Sequence, residues 1–448
     1  MTTREIIQVE QKVPLLKGIP LSLQHLFAMF GASILVPILF NQAAKTMVVD
    51  PALVLLMNGI GTLIYLFICR GKAPAFLGSS FAFIAPTITC ISLAATPQLG
   101  FQHALGGFMV AGLAFTVVSL IIRFAGREWL KVVLPPAAMG PIVALIGLEL
   151  APTAVGMAFF KDANIAGGTI VPVYAAISLF TLAVIFVGSL VFRRFLAAIP
   201  VLIGVLAGYA LAAVLGIWMP GIIDFGPVAS ARIIALPRLI LPVFDLGSIL
   251  IILPAALVVI SEHIGHLFVT SNIVGRNLLK DPGLHRSLLG DGLSTMLSGL
   301  AGSCPTTTYG ENMGVMAITK VYSVWVVGGA AVISILIAFL GQFSGAIRSI
   351  PTPVIGGVSI MLFGVIAASG LRMIVESRVD YSKSRNLLLS AVVFVVGISG
   401  VAVKVGKTEL KGMVLATLVG MALSLVIWIF DRLGWTAEEA DVQTEAGA

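Results

Sequence analysis

Apolar residues along the chain form uninterrupted runs of about 17 to 25 residues, the length of an α-helix that crosses a bilayer. Short polar segments separate these runs. Twelve runs read as continuous spans, and two further apolar segments, at 74–95 and 302–319, are interrupted by Gly, Pro, Ser and Thr. The pattern predicts an all-α polytopic membrane protein with about fourteen transmembrane segments. The continuous spans are predicted at Ile19–Phe40, Ala52–Cys69, Ala104–Arg123, Val132–Ala151, Pro172–Phe192, Phe195–Trp218, Gly247–Ser271, His285–Ala301, Tyr322–Gly341, Pro353–Gly370, Asn386–Val403 and Gly412–Phe430.

Positive charges are distributed unequally between the two sets of connecting segments. With a cytoplasmic N-terminus, 19 of the 27 Lys and Arg residues fall on the cytoplasmic side. Cytoplasmic loops of membrane proteins carry this excess. We therefore predict a multi-pass protein of the inner (cytoplasmic) membrane with both termini cytoplasmic. The net charge of +7 then belongs to these loops, so the expected partner is the lipid bilayer and not nucleic acid.

Composition supports this prediction and excludes several classes of site. Hydrophobic residues make up 58% of the chain and charged residues 10%, whereas about a quarter of a soluble domain is charged. The three cysteines lie far apart and predict neither a metal site nor a disulfide framework. No cofactor is expected. The polar first eighteen residues do not resemble a cleavable signal peptide.

The two halves of the chain resemble each other. Pro136, Gly140 and Gly147 each have a matching residue 217 positions later, and the two interrupted segments hold equivalent places. Seven spans per half is an odd number, so the second copy is predicted to be inverted. The expected order is a cytoplasmic tail at 1–18, a repeat at 19–218, an extracytoplasmic linker at 219–246, the inverted repeat at 247–430 and an acidic tail at 431–448.

The interrupted segments are each predicted to contain a short strand followed by a half-helix. Extended backbone at membrane depth survives only where protein buries it or where it lines a cavity. The free N–H groups of each half-helix then point into the bundle. This interpretation selects Ser80, Phe81, Tyr309 and Gly310 as candidate substrate-binding residues. Kinked helices are the alternative.

Few ionisable residues lie inside the predicted spans. Glu262 and His266 are four residues apart and share a helix face, while His263 lies on another face and is expected to pack between helices. Glu311 opens the second half-helix. A carboxylate at mid-membrane is costly and marks a functional site, so Glu262 and Glu311 are candidate substrate-binding residues. Gln24 and His25 either contact the site or form a structural hydrogen-bonded pair. The sequence does not decide whether Asp291 serves packing or coupling.

Several motifs resemble the nucleobase–ascorbate transporter family. The segment Tyr309–Lys320 contains an Asn-x-Gly core, Asn312 to Gly314, followed by Thr319 and a basic residue. The segments Ser22–Phe27, Gly78–Phe83 and Glu262–His266 are also similar, and the resemblance extends from about Pro20 to Phe430. It implies fourteen spans in two inverted repeats, with a core and a gate domain that each draw on both repeats. It also implies proton symport, and a homodimer as a plausible assembly. Asn312 and Thr319 become supporting site residues, and the acid at Glu311 favours uracil over a purine.

The chemistry of uracil agrees with this resemblance. Glu262 and Glu311 can accept hydrogen bonds from its ring N–H groups. The resemblance further implies that the backbone N–H groups of Phe81 and Gly310 donate to its carbonyls. A β-branched side chain at Gly310 is expected to crowd the backbone there and to resist any unusual dihedral angle. Aromatic rings at Phe81, Phe83 and Tyr309 could cover the ring faces. Burial disfavours a charged carboxyl group, so Glu262, with His266 beside it, is the predicted proton carrier.

Four other functions are alternatives to uracil–proton symport. A purine permease of the same family is the nearest alternative. A channel would need a continuous polar pore, and an anion transporter of similar architecture would not place two acids at its site. An enzyme is not expected, because the order Glu-His-x-x-His at Glu262–His266 differs from the zinc-protease pattern His-Glu-x-x-His.

Overall fold

A computed structural model of the chain describes residues 6–161, 165, 168–193, 195–405 and 408–436. Most of the predicted acidic tail lies outside the described residues. The helices are α1 (Leu15–Ala44), α2 (Pro51–Ile68), α3 (Ile84–Leu93), α4 (Pro97–Ala125), α5 (Glu128–Val133), α6 (Pro136–Phe159), α7 (Pro172–Val191), α8 (Pro200–Trp218), α9 (Gly226–Ala229), α10 (Leu246–Val274), α11 (Leu284–Ala301), α12 (Gly310–Thr319), α13 (Val324–Ala338), α14 (Gly341–Arg348), α15 (Thr352–Glu376), α16 (Ser384–Ile398) and α17 (Gly412–Arg432). The strands are β1 (Leu77–Ser79), β2 (Thr306–Thr308), β3 (Ala402–Val405) and β4 (Thr408–Lys411). Short 3₁₀ turns lie at Phe81–Phe83 and Leu196–Ala198, and a π-helical turn lies at Leu279–Gly283.

The fold is mostly helical, and its helices suit a bilayer. Within the described residues, nine helices are both long and apolar enough to cross a membrane. Three shorter apolar helices accompany them, at Phe81–Leu93, Val324–Ala338 and Ser384–Ile398. The chain is therefore a multi-pass membrane protein.

One predicted span ends earlier than expected. The span predicted to reach Val403 ends at Ile398, because the next residues form the antiparallel hairpin of β3 and β4. Alternating apolar and polar residues in this hairpin suit extended backbone. Only Ser399 and Gly400 interrupt the apolar run between α16 and β3, which hid the boundary in the sequence.

Capping residues fix where two of the important helices begin. The Asp50 side chain accepts a hydrogen bond from the Ala52 N–H at 2.9 Å, and Pro51 occupies the first position of α2. Asp245 caps α10 in the same way by accepting from the Ser248 N–H at 2.7 Å. Such side chains satisfy N–H groups that have no partner within the helix.

The chain divides into two compact units, each of which contains segments from both halves of the sequence. The larger unit comprises Met1–Leu120 and Leu150–Phe363. Within it, α2 packs against α11 and α13, and α1 packs against α13 and α3. The α2–α11 contact is close because Gly61 has no side chain; a Cβ there would collide with the Ser294 side chain. This unit contains both interrupted segments.

The smaller unit comprises Ile121–Glu149 and Gly364–Ala448. Its helices α16 and α17 pack together, and α5 contacts α17. Glu149 is half-buried and accepts a hydrogen bond from the Met413 N–H at 2.9 Å. Its carboxyl group thus caps the first turn of α17, a structural role.

Candidate functional site

The two interrupted segments meet in a buried two-stranded ribbon. Strands β1 and β2 pair antiparallel, with Leu77 opposite Thr308 and Ser79 opposite Thr306. Two further backbone hydrogen bonds extend the pairing, from the Ser80 N–H to the Pro305 carbonyl and from the Tyr309 N–H to the Phe76 carbonyl. Every residue of both strands is buried. Extended backbone is stable there because each strand satisfies the polar groups of the other.

A half-helix follows each strand directly. The Phe81–Phe83 turn and α3 follow β1, and α12 follows β2 after Tyr309. Because the strands are antiparallel, the half-helices leave from opposite ends of the ribbon. The first N–H groups of a helix lack partners within it and carry its positive dipole end. The geometry therefore directs two sets of unpaired donors toward the interior of the larger unit.

Helix α10 faces both half-helices. It contacts β2, α12 and the Phe81–Phe83 turn. Nδ1 of His266 lies 3.0 Å from Oγ1 of Thr308, the last residue of β2. A Cβ built on Gly310 would lie 3.8 Å from Nε2 of the same histidine. The structure thus brings His266 beside the beginning of α12.

The two candidate carboxyl groups are half-buried on α10 and α12. Oε2 of Glu262 is enclosed and has no hydrogen-bond partner among the described residues. Glu311 occupies the first turn of α12, where the helix dipole favours negative charge. A buried acceptor without a partner is costly, so Glu262 is available to a ligand or a proton.

Gly310 has an ordinary helical backbone, contrary to the expectation of an unusual dihedral angle. Its φ is not positive. A Cβ would also fit, since its nearest neighbours would be the Met313 Cε at 3.7 Å and the His266 ring. The predicted crowding therefore does not arise at Cβ. A larger side chain would instead extend into the space beside His266.

Tyr309 and Ser80 are buried within the ribbon. The Tyr309 hydroxyl donates to the Ser79 carbonyl at 2.8 Å, and a Cβ on Gly78 would collide with the tyrosine ring. The ring therefore packs on Gly78, and only its remaining surface can meet a ligand. Oγ of Ser80 is buried without a partner among the described residues.

The supporting residues separate into two groups. His25 is a partner of Asn312, since Nδ2 of Asn312 lies 3.1 Å from both Nδ1 and the carbonyl oxygen of His25. This pair joins α1 to the first turn of α12, and Gln24 is buried beside it. Thr319 lies at the opposite end of α12, about 13 Å from Gly310 along the axis, and its hydroxyl bonds the Val315 carbonyl. The structure does not bring Thr319 to the site.

Sequence reasoning left one buried network undecided. Nδ1 of His263 lies 2.8 Å from Oδ2 of Asp291, and its Nε2 lies 2.7 Å from Oγ of Ser287. The Ser287 hydroxyl in turn lies 2.8 Å from the Tyr65 hydroxyl. Both His263 and Asp291 are fully buried. His263 therefore packs between α10 and α11, as expected, and Asp291 is its partner. In the sequence, the only sign of this network was that His263 and Asp291 are ionisable residues within predicted spans.

A small cavity lies between this network and the ribbon. Its volume is about 10 Å³, room for about one water molecule. His263, His266, Tyr65, Ser287, Thr308 and Tyr309 all contribute to its wall. In the described conformation, this cavity leaves room for little more than one water molecule between the ribbon and the His263–Asp291 network.

Two interrupted helices that meet inside a bundle of membrane-spanning helices are typical of transporters. The chain belongs to the permease family, because a family model with that description (Xan_ur_permease) matches residues 16–406. It is a transporter and not an enzyme.

Several curated relatives match nearly the whole chain. The uracil permease of Escherichia coli (strain K12) is 54% identical over 445 residues, which cover 98% of this chain and 99% of the relative. The uracil permease of Paenibacillus larvae is also 54% identical, over 97% of this chain and 99% of its own length. That of Bacillus caldolyticus is 45% identical over 95% of each.

Solved structures of distant transporters share the fold. The transmembrane domain of the cyanobacterial bicarbonate transporter BicA has a TM-score of 0.60 at 17% identity, covering 93% of this chain and 100% of that one. The murine anion transporter Slc26a9 has a TM-score of 0.70 at 12% identity, covering 94% and 69% respectively. At these identities the likeness concerns architecture alone.

Proposed function

We propose that this permease takes up uracil by proton symport across the inner membrane, with both termini cytoplasmic. The substrate would bind at mid-membrane between the N-terminal ends of the two half-helices. One observation carries the proposal: proteins named uracil permease are 54% identical over 98% of the chain. The carboxyl groups near the second half-helix agree with it.

Recognition rests on complementary hydrogen bonding. Uracil has two ring N–H donors, and Glu262 and Glu311 supply acceptors on the two helices that meet beside β2. Its two carbonyl groups need donors, which the first N–H groups of the half-helices at Phe81 and Gly310 provide. Hydrogen bonds that involve a charged partner are stronger than neutral ones. A site with two acids opposes anions, which separates this permease from the anion transporters of similar architecture.

Proton coupling rests on Glu262. Uracil is neutral, so a proton gradient can drive its accumulation only if a protein group carries the proton. Glu262 has an enclosed oxygen without a partner, and burial favours the protonated form of a carboxyl group. His266 follows one turn later on the same helix face.

Substrate choice is tested by uptake in cells that lack their own nucleobase permeases. Labelled uracil should accumulate, and a protonophore should abolish the accumulation. Unlabelled uracil should compete strongly, thymine and xanthine more weakly, and bicarbonate not at all. Stronger competition by xanthine would identify a purine permease. Accumulation that survives the protonophore would contradict proton symport.

Glu262→Gln is expected to separate binding from coupling. The amide resembles a protonated acid that cannot release its proton. In proteoliposomes, the variant should still exchange internal for external uracil but lose accumulation driven by a proton gradient. Glu149→Gln, which changes a carboxyl group of the smaller unit outside the site, serves as the control and should retain gradient-driven uptake. Full accumulation by Glu262→Gln would move the proton site elsewhere, and His266 would be the next candidate.

A further inference from the structure

Part of the tail predicted at residues 1–18 is an ordered strap. Residues Ile6–Lys12, the N-terminal strap, lie against the connection between α12 and α13. Three backbone hydrogen bonds join them: the Ile7 N–H to the Lys320 carbonyl at 3.1 Å, the Tyr322 N–H to the Ile7 carbonyl at 2.8 Å, and the Val324 N–H to the Val9 carbonyl at 2.9 Å. The strap thus pairs, like a β-strand, with the connection that follows the second half-helix, α12.

Side chains reinforce this pairing. Val9 is fully buried. The Ser323 hydroxyl, which also caps α13, donates to the Gln11 carbonyl at 2.6 Å. Nζ of Lys12 lies 4.9 Å from the centre of the Trp325 ring, a distance at which a cation is attracted to the ring face. The strap is therefore packed, and several of its backbone polar groups are hydrogen-bonded.

The strap also binds the end of α10. Arg276, two residues beyond α10, donates from Nη1 to both carboxylate oxygens of Glu10, at 2.6 and 2.7 Å. This hydrogen bond holds the pKa of Glu10 below its ordinary value, so both partners are charged at neutral pH. One short segment thereby contacts the ends of the two helices that carry Glu262 and Glu311.

We propose that Val9 and Glu10 are positioning residues for the candidate site. The strap fixes the C-terminal end of α10, which follows His266, relative to the C-terminal end of α12. It thereby keeps the N-terminal end of α12 aligned with α10. Helix α12 has only ten residues, so a shift at one end moves the other as a rigid body. The expected effect on substrate binding rests on the proposed function, whereas the expected effect on the position of α12 does not.

Val9 should matter more than Glu10. Burial of an aliphatic side chain removes a large apolar surface from water. The Glu10–Arg276 pair is about half-exposed, and exposed ion pairs contribute little. Val9→Asp therefore detaches the strap. Ile6→Asp introduces the same charge in the same strap at a side chain that is 51% exposed, and it is the matched control.

Hydrogen–deuterium exchange of the full-length protein in detergent is the primary test, since it needs no substrate. Val9→Asp should accelerate exchange about tenfold within α12, up to its first turn, and Ile6→Asp should leave it unchanged. Faster exchange confined to the strap and residues 320–324 would overturn the proposal, because the strap would then be a passive cover. Equal effects of both variants would overturn it as well.

A charge exchange tests the α10 contact in a variant that should fold normally. Glu10→Arg alone and Arg276→Glu alone should each accelerate α12 exchange about threefold, and the double variant should return to within about twofold of the parent protein. Absence of rescue by the double variant would exclude the ion pair from the positioning role.

Uracil affinity extends the test to the site. If the parent protein binds uracil, the dissociation constant of folded Val9→Asp should rise about tenfold and that of Ile6→Asp should not change. Lower thermal stability with an unchanged dissociation constant would mean that the strap is merely structural. Absence of binding by the parent protein would refute the proposed function instead, and the exchange data would still decide the role of the strap.

Discussion

The two interrupted segments share one backbone plan but differ in their side chains. Each has a three-residue strand, a connection and a half-helix, and the strands pair with each other. The first segment, Leu77–Leu93, contains no Asp, Glu, His, Lys or Arg. The second, Thr306–Thr319, carries Glu311 and Asn312 in the first turn of its half-helix.

The difference indicates a division of labour. In the first segment, Phe81 packs edge-on against Phe363 with ring centres 6.0 Å apart, which holds a backbone N–H in a fixed place. In the second segment, Gly310 lies next to His266 of α10, and the Asn312 side chain contacts His25 of α1. We infer that the first segment contributes backbone donors and apolar surface, while the second also contributes Glu311, the acid that recognises the substrate.

The largest expected effect comes from the second segment. Glu311→Gln replaces an acceptor with an amide whose N–H₂ can face the N–H of uracil. A buried donor left unpaired costs about 1–3 kcal/mol, so affinity should fall roughly tenfold to a hundredfold. Isothermal titration of purified protein with uracil measures this.

The control for that variant is a carboxyl group outside the site. Glu149 lies in the smaller unit and caps α17 through the Met413 N–H. Glu149→Gln keeps an acceptor oxygen for that bond and should bind uracil normally. Normal binding by Glu311→Gln would remove Glu311 from contact with the substrate and would erase the contrast between the segments.

Gly310 gives a smaller and graded effect. Gly310→Ala should weaken uracil binding only slightly, because its Cβ would be in ordinary contact with Met313 and His266. Gly310→Val should weaken it about tenfold, since its methyl groups extend toward His266 and the rigid β-branched side chain has few rotamers to avoid them.

Gly314 supplies the matched control for this series. It lies one turn later on the same half-helix, and a Cβ there would have no heavy atom within 4 Å. Gly314→Val should therefore keep both affinity and thermal stability. If Gly310→Val and Gly314→Val lowered stability equally, with unchanged affinity, the start of α12 would not be near the substrate.

Much of this site was predictable because its signals are local in sequence. Gly, Pro, Ser and Thr interrupt an apolar run at both broken segments, and spacing alone places Glu262 and His266 on one face. The pairs His263–Asp291 and His25–Asn312 were not predictable. Each depends on how two helices are rotated against each other, and helices that are apolar on all sides do not reveal their facing surface.

The strap was missed for a related physical reason. Its residues are mainly polar and too few to show a period, so the sequence predicted a free tail. Its order comes from pairing with a connection more than 300 residues later. The backbone angle of Gly310 was also missed, since glycine allows an unusual dihedral angle without requiring one.

The smallest expected effect tests the first segment. Phe81→Leu keeps an apolar side chain and leaves the backbone N–H in place, but it removes the aromatic contact. Such contacts are worth about 0.5–1.5 kcal/mol, so uracil affinity should fall about twofold to tenfold. Phe83→Leu is the matched control, because Phe83 is fully buried against Phe108 and its loss should lower thermal stability without a change in affinity. A loss of binding by Phe81→Leu as severe as that of Glu311→Gln would show that the first segment reads the substrate through a side chain. The two segments would then be functionally alike, and the division of labour would be wrong.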